Sequence, residues 1–111
     1  MKMYILVNEE VKIGKGKLAG QVGHAVASYF WRQMQSPTDG QIEFLTEYMK
    51  EQKKIILSAP QWLCEQLEHN RYIRVRDLGY TQLEPNTLTC INVGVYRDGQ
   101  EPEFVKDLKL Y

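Results

Sequence analysis

A change of repeat near the start of the chain restricts what it can fold into. Met3-Tyr4-Ile5-Leu6-Val7 is a short apolar, partly β-branched run that predicts a buried strand. Leu18, Val22, Ala25, Val26 and Tyr29 then recur at three- and four-residue steps, which predicts an amphipathic helix from 17 to about 34. A strand handed directly to a helix is the beginning of an α/β layer arrangement. Gly14 and Gly16 stand at the hand-over.

The rest of the chain continues the alternation. Ser36-Pro37-Thr38-Asp39-Gly40 is the clearest breaker cluster, and beyond it Ile42, Leu45, Tyr48 and Met49 share the face of a second helix near 41–51. Lys53-Lys54-Ile55-Ile56-Leu57-Ser58 reads as a strand with a basic entrance, and Pro60 suits the first turn of a helix through Leu63 and Leu67. In Tyr72-Ile73-Arg74-Val75-Arg76 aliphatics alternate with arginines, as on a half-exposed strand, and residues 88–95 form a fourth apolar run. The tail over 104–111 has alternating apolar positions able to fold back on the body. These elements predict a small α/β layered domain with a mixed sheet, and 111 residues suit one such domain rather than two.

The formal net charge is zero, so overall charge does not argue for a polyanionic partner. Its distribution is uneven. Residues 1–32 carry five basic and two acidic side chains, residues 33–52 one and four, and residues 53–80 five and three. If the two basic blocks meet in space, they form a local phosphate-attracting face suited to one end of an RNA rather than to a long duplex. No stretch approaches eighteen apolar residues and no secretory h-region stands at the N-terminus, so a cytoplasmic protein without a membrane span is expected. Cys64 and Cys90 lie in apolar contexts without metal-ligand spacing and read as buried free thiols.

Two clusters carry chemistry. The first runs from Lys12 through Lys15 and Lys17 to Gln21 and His24, with three lysines beside a turn that opens a helix. Backbone N–H groups at such a junction can face an anion, and lysines add point charge without fixing one geometry. The glycine–lysine order lacks the four-residue spacer and the following Ser/Thr of a P-loop, so no triphosphate site follows. The plain alternative is a strand-to-helix turn with solubilising lysines. The second cluster, Arg76-Asp77-Leu78-Gly79-Tyr80-Thr81-Gln82-Leu83-Glu84-Pro85-Asn86-Thr87, links the third and fourth strands. Asp77 there could orient a water, with Thr81 holding the carboxylate or touching substrate. By itself, aspartate before glycine reads first as an Asx turn that caps its own loop.

Taken together the clusters are more specific. Residues 12–25, followed by 77–89, the run Gln52-Lys53-Lys54-Ile55-Ile56-Leu57 and the closing Leu108-Lys109-Leu110-Tyr111, closely resemble the archaeal and eukaryotic type of peptidyl-tRNA hydrolase, the Pth2 family, over nearly the whole chain. The resemblance implies a single domain over 1–111, a three-layer fold with a four-stranded mixed sheet flanked by helices, and commonly a homodimer. It implies hydrolysis of the ester between a peptide and the 3′ ribose of tRNA. No pair of histidines or carboxylates makes a metal site, and neither a cofactor nor a DNA partner is expected. Carried over by position, the catalytic residues are Lys17, Asp77 and Thr81, with Lys15, Gln21, His24 and Gln82 around them. Lys12, Lys15, Arg74 and Arg76 would engage the acceptor-stem backbone. Two departures stand out. Glu84-Pro85-Asn86-Thr87 replaces a usual Ala-Pro-Gly-Thr, and Asn86 is expected to take the left-handed backbone of that glycine. Gly20 and Gly23 replace alanines, and each costs about 1 kcal/mol in a helix unless close packing requires it. A tRNA-end binding module without turnover is the competing function, and a protein-binding domain is the third.

Overall fold

The computed structural model describes residues 1–79 and 84–111. Its elements are β1 (Lys2–Asn8), α1 (Lys15–Gln33), α2 (Asp39–Met49), β2 (Lys54–Ala59), α3 (Gln61–His69), β3 (Ile73–Arg76), β4 (Leu88–Tyr96) and a 3-10 turn over Glu103–Val105. The sheet order is β2-β1-β4-β3, with β1 and β2 parallel and β4 antiparallel to both β1 and β3. The expected mixed four-stranded sheet is therefore present. β1 and β3, each antiparallel to β4, run in the same direction, so their carboxyl ends lie at one end of the sheet.

Period-two alternation sends successive β1 side chains to opposite faces. Met3, Ile5 and Val7 pack with Ala25, Tyr48, Val75, Cys90 and Val95 under α1 and α2. Leu6 joins Leu57, Leu63, Cys64, Leu67, Ile91 and Val105 on the face covered by α3 and the tail. Three layers result. Cys64 and Cys90 are buried on opposite faces as free thiols, and burial pushes them up to about 12 and about 11, so they remain protonated at neutral pH.

The element boundaries differ from the sequence expectation in places with local causes. α1 begins at Lys15 rather than Lys17, so Gly16 lies inside its first turn. α2 begins at Asp39 because Thr38 and Gln41 form a capping box, the Thr38 hydroxyl accepting from Gln41 N–H and the Gln41 side chain accepting from Thr38 N–H. Pro60 is the N-cap of α3 rather than a residue of its first turn. It offers no side-chain acceptor, and Glu10 supplies one from the β1–α1 connection, accepting from Gln61 N–H at 3.0 Å. The tail folds back as expected. Leu110 bridges Leu57, Ser58 N–H donates to the Lys109 carbonyl and Tyr111 N–H donates to the Ile56 carbonyl, so this segment lies along β2.

Candidate active site

The site forms where α1 starts, beyond the carboxyl ends of β1 and β3. Asn8, the last residue of β1, is fully buried; its amide donates to the Leu88 carbonyl at 3.0 Å and its Oδ1 accepts from Glu10 N–H at 3.1 Å. With Glu10 also held at the head of α3, the connection into α1 is fixed from two sides. The first turn of α1 contains Lys15 and Lys17 and no acid, with Gly14 as an N-cap lacking a side-chain hydrogen bond. The positive end of the helix dipole and two ammonium groups thus concentrate at one spot, an arrangement unfavourable for the helix alone and favourable for a negative partner.

That partner is Asp77. Lys17 Nζ pairs with Asp77 Oδ1, and the two side chains are only 16% and 2% exposed. Asp77 Oδ2 accepts from Gly79 N–H at 2.8 Å, forming an Asx turn. The Lys17 ammonium, aided by the Gly79 N–H and opposed by burial, holds the Asp77 carboxyl below the usual carboxylate range. The group is an ionised acceptor at neutral pH. Gly79 sits at φ +82°, and a Cβ there would stand 2.7 Å from the Pro85 ring, so glycine is required on both counts. Asn86 takes the left-handed φ of +66° expected for it; Thr87 N–H donates to the Glu84 carbonyl at 3.2 Å, closing a turn with proline at its second position and asparagine at its third.

Lys17 reaches Asp77 only if α1 has one rotation over the sheet, and two buried polar contacts set it. The Thr89 hydroxyl is 2.7 Å from Gln21 Oε1, to which it donates, and 3.1 Å from the Val75 carbonyl. One turn further along, the Asn92 amide donates to the Ala25 carbonyl at 3.0 Å. The pairing of β3 with β4 explains the first contact. Val75 faces Cys90 while Arg76 faces Leu88, which leaves Thr89 as an extra residue. A bulge re-aims a side chain, and here it turns Thr89 toward α1.

The family model for "Peptidyl-tRNA hydrolase PTH2" matches residues 1–111. A peptidyl-tRNA hydrolase of Saccharolobus islandicus is 33% identical over 119 residues, covering 99% of this chain and 98% of its own. Those of Saccharolobus solfataricus and Sulfurisphaera tokodaii are 30% and 32% identical, with 98% and 97% of their own lengths covered. The chain belongs to the PTH2 family. Among its candidate residues, Lys17 and Asp77 come together, while Gln21, one turn along α1 from Lys17, is buried against Thr89. Thr81 and Gln82 lie outside the described residues. Lys12 and Lys15 are exposed, Lys15 in the same turn of α1 as Lys17. His24 is also exposed, two turns and about 10 Å of helix rise beyond Lys17.

The two basic blocks meet only in part in this PTH2 chain. Lys53 and Lys54 enter β2 at the opposite end of the sheet, where they engage Glu51 and the Gln52 carbonyl. Arg74 and Arg76 extend from β3 on the α3 side, and both reach Glu68. The residues that sequence reasoning passed over are Thr89, Asn92 and Glu68. The first two were visible as polar positions inside an otherwise apolar strand, and Glu68 as an acid in the last turn of a helix, where the dipole disfavours it. No helix among the described residues is long and apolar enough to cross a membrane.

Proposed function

We propose that the Lys17–Asp77 pair is the centre at which this PTH2 chain hydrolyses the ester between the peptide and the 3′ ribose of peptidyl-tRNA. The single observation that carries the reading is this pair, formed by residues distant in sequence and enclosed at the head of a helix whose first turn holds two lysines and no acid. Hydrolysis needs a positioned water, donors where the carbonyl oxygen becomes an oxyanion, and a proton for the departing ribose oxygen. An ammonium has three protons. One Lys17 proton is committed to Asp77, which aims the group and leaves two directions for the oxyanion or a phosphate oxygen. Asp77, held ionised, orients the water and Lys17 and is a weak base. The proton that the water loses as its oxygen bonds to the carbonyl carbon is the one that the 3′ oxygen gains as the ester C–O bond breaks. Thr81 is the proposed partner of Asp77 at the 3′-terminal adenosine, with Gln82 next in sequence. Gln21 acts by fixing α1. Lys12 and Lys15 attract the acceptor-stem backbone electrostatically, and His24 has no assigned proton transfer.

A homodimer and a cytoplasmic location are further parts of the proposal. Met34, Ile42 and Met49 are exposed around a cleft of about 450 Å³ between α1 and α2, which supports self-association.

Single-turnover cleavage of an N-blocked aminoacyl-tRNA tests the central reading, with binding recorded alongside. Lys17→Ala is expected to slow cleavage by about 10²-fold or more, the loss typical of a removed oxyanion donor. Asp77→Asn is expected to slow it severely while retaining most binding. Tight binding without wild-type cleavage would move the chain to the class of tRNA-end binding modules.

A further inference from the structure

Glu68 stands in the last turn of α3, at the negative end of the helix dipole. Two guanidinium groups offset that position. Arg76 donates from Nε to Glu68 Oε2 at 2.7 Å and from Nη2 to Oε1 at 2.6 Å, a fork meeting a fork, while Arg74 adds Nε at 3.1 Å. A third direction separates the arginines. Arg76 Nη1 donates to the Asn86 carbonyl. Asn86 N–H donates to the Asp77 carbonyl at 2.7 Å, and Asp77 N–H donates to the Thr87 carbonyl at 2.8 Å. Contacts therefore run without a break from α3 through Glu68, Arg76 and Asn86 to the residue paired with Lys17.

We propose that Arg76, held by Glu68, is a positioning residue that sets Asp77 opposite Lys17. Glu84, Pro85 and Asn86 are all exposed, and the other hydrogen bonds of this turn among the described residues stay within the loop and its junction with Asp77, so Arg76 is the described side chain that ties it to α3. A planar guanidinium can bind a carboxylate along one edge and a carbonyl along another in fixed directions, whereas an ammonium is a point charge with no such plane. This assignment rests on the reading of Lys17 and Asp77 as the hydrolytic pair. It differs from a phosphate-contact role for Arg76 in what each substitution does.

Single-turnover cleavage and tRNA affinity across a salt series are measured for Arg76→Lys, Arg76→Ala and Glu68→Gln, each with its urea midpoint as a check on the fold. A positioning role is expected to slow cleavage about tenfold or more in all three, because a displaced catalytic group costs rate rather than affinity. Glu68→Gln is the most decisive, being nearly isosteric. A phosphate-contact role requires it to free Arg76, tightening binding without slowing cleavage, and requires Arg76→Lys to resemble wild type while Arg76→Ala lowers the salt slope by about one. Either of those patterns overturns the proposal. Carboxyl-carbon NMR of Asp77 supplies a readout independent of turnover. In Glu68→Gln its titration midpoint is expected to move up toward an ordinary carboxylate, and an unmoved midpoint counts against positioning. If wild type proves inactive, the hydrolase reading fails, while this midpoint still decides whether Arg76 places Asp77.

Discussion

Asp77 divides its two oxygens between roles that the sequence posed as alternatives. Oδ2 closes an Asx turn on Gly79, and Oδ1 pairs with Lys17. The turn aims the carboxylate, and the carboxylate aims the lysine. Because the Lys17 ammonium is the leading cause of the lowered Asp77 pKa, the sign of the pH dependence follows. A carboxylate depressed on folding contributes stability that is present above its unfolded value and lost as pH falls through the folded value. The pair therefore survives below the ordinary carboxylate range. Single-turnover rates are expected to show no inflection owed to Asp77 between about pH 5 and 7, where a general base with a raised pKa would titrate. An acid limb in that window that vanishes in Asp77→Asn would reverse the assignment from orienting group to base.

α1 shows how one element reconciles stability and placement. Its inner face is tethered by Gln21 to Thr89 and by Ala25 to Asn92, contacts that depend on strand bulges invisible to period counting. Its outer face has glycines where the family resemblance gives alanines. The sequence left close packing or a weaker helix as explanations, and the structure chooses between them. A Cβ at Gly20 or Gly23 meets nothing within 4 Å. Each glycine thus weakens the helix without a packing return in this chain. Gly20→Ala and Gly23→Ala are each expected to raise stability by up to about 1 kcal/mol in urea unfolding. A lowered midpoint would mean that this face is not open. α2 is legible as a helix from its apolar face, yet it starts at Asp39, ahead of that face, because the Thr38–Gln41 capping box rather than hydrophobic period sets its first turn.

For the whole molecule, the exposed apolar side chains at the α1–α2 cleft bear on the proposed homodimer. Met34 and Ile42 are 66% and 50% exposed. Sedimentation velocity at micromolar concentration is expected to find a dimer, and Met34→Glu with Ile42→Glu is expected to shift it to monomer while the helical circular dichroism persists. A wild-type monomer throughout would remove the homodimer from the proposal. The order and type of the elements were settled by the sequence itself, because hydrophobic period and turn residues act over a few neighbours and need no distant partner. So was the family, since two separated motifs in the right order stand in the chain as written. The tertiary structure decided which charges meet. Lys17 finds Asp77, Arg74 and Arg76 find Glu68 on the other face, and Lys53 and Lys54 go to the far end. Strand direction, bulges and the rotation of α1 determine those meetings, and each is a relation between segments far apart in the chain, where a local pattern has no physical means of specifying the distance.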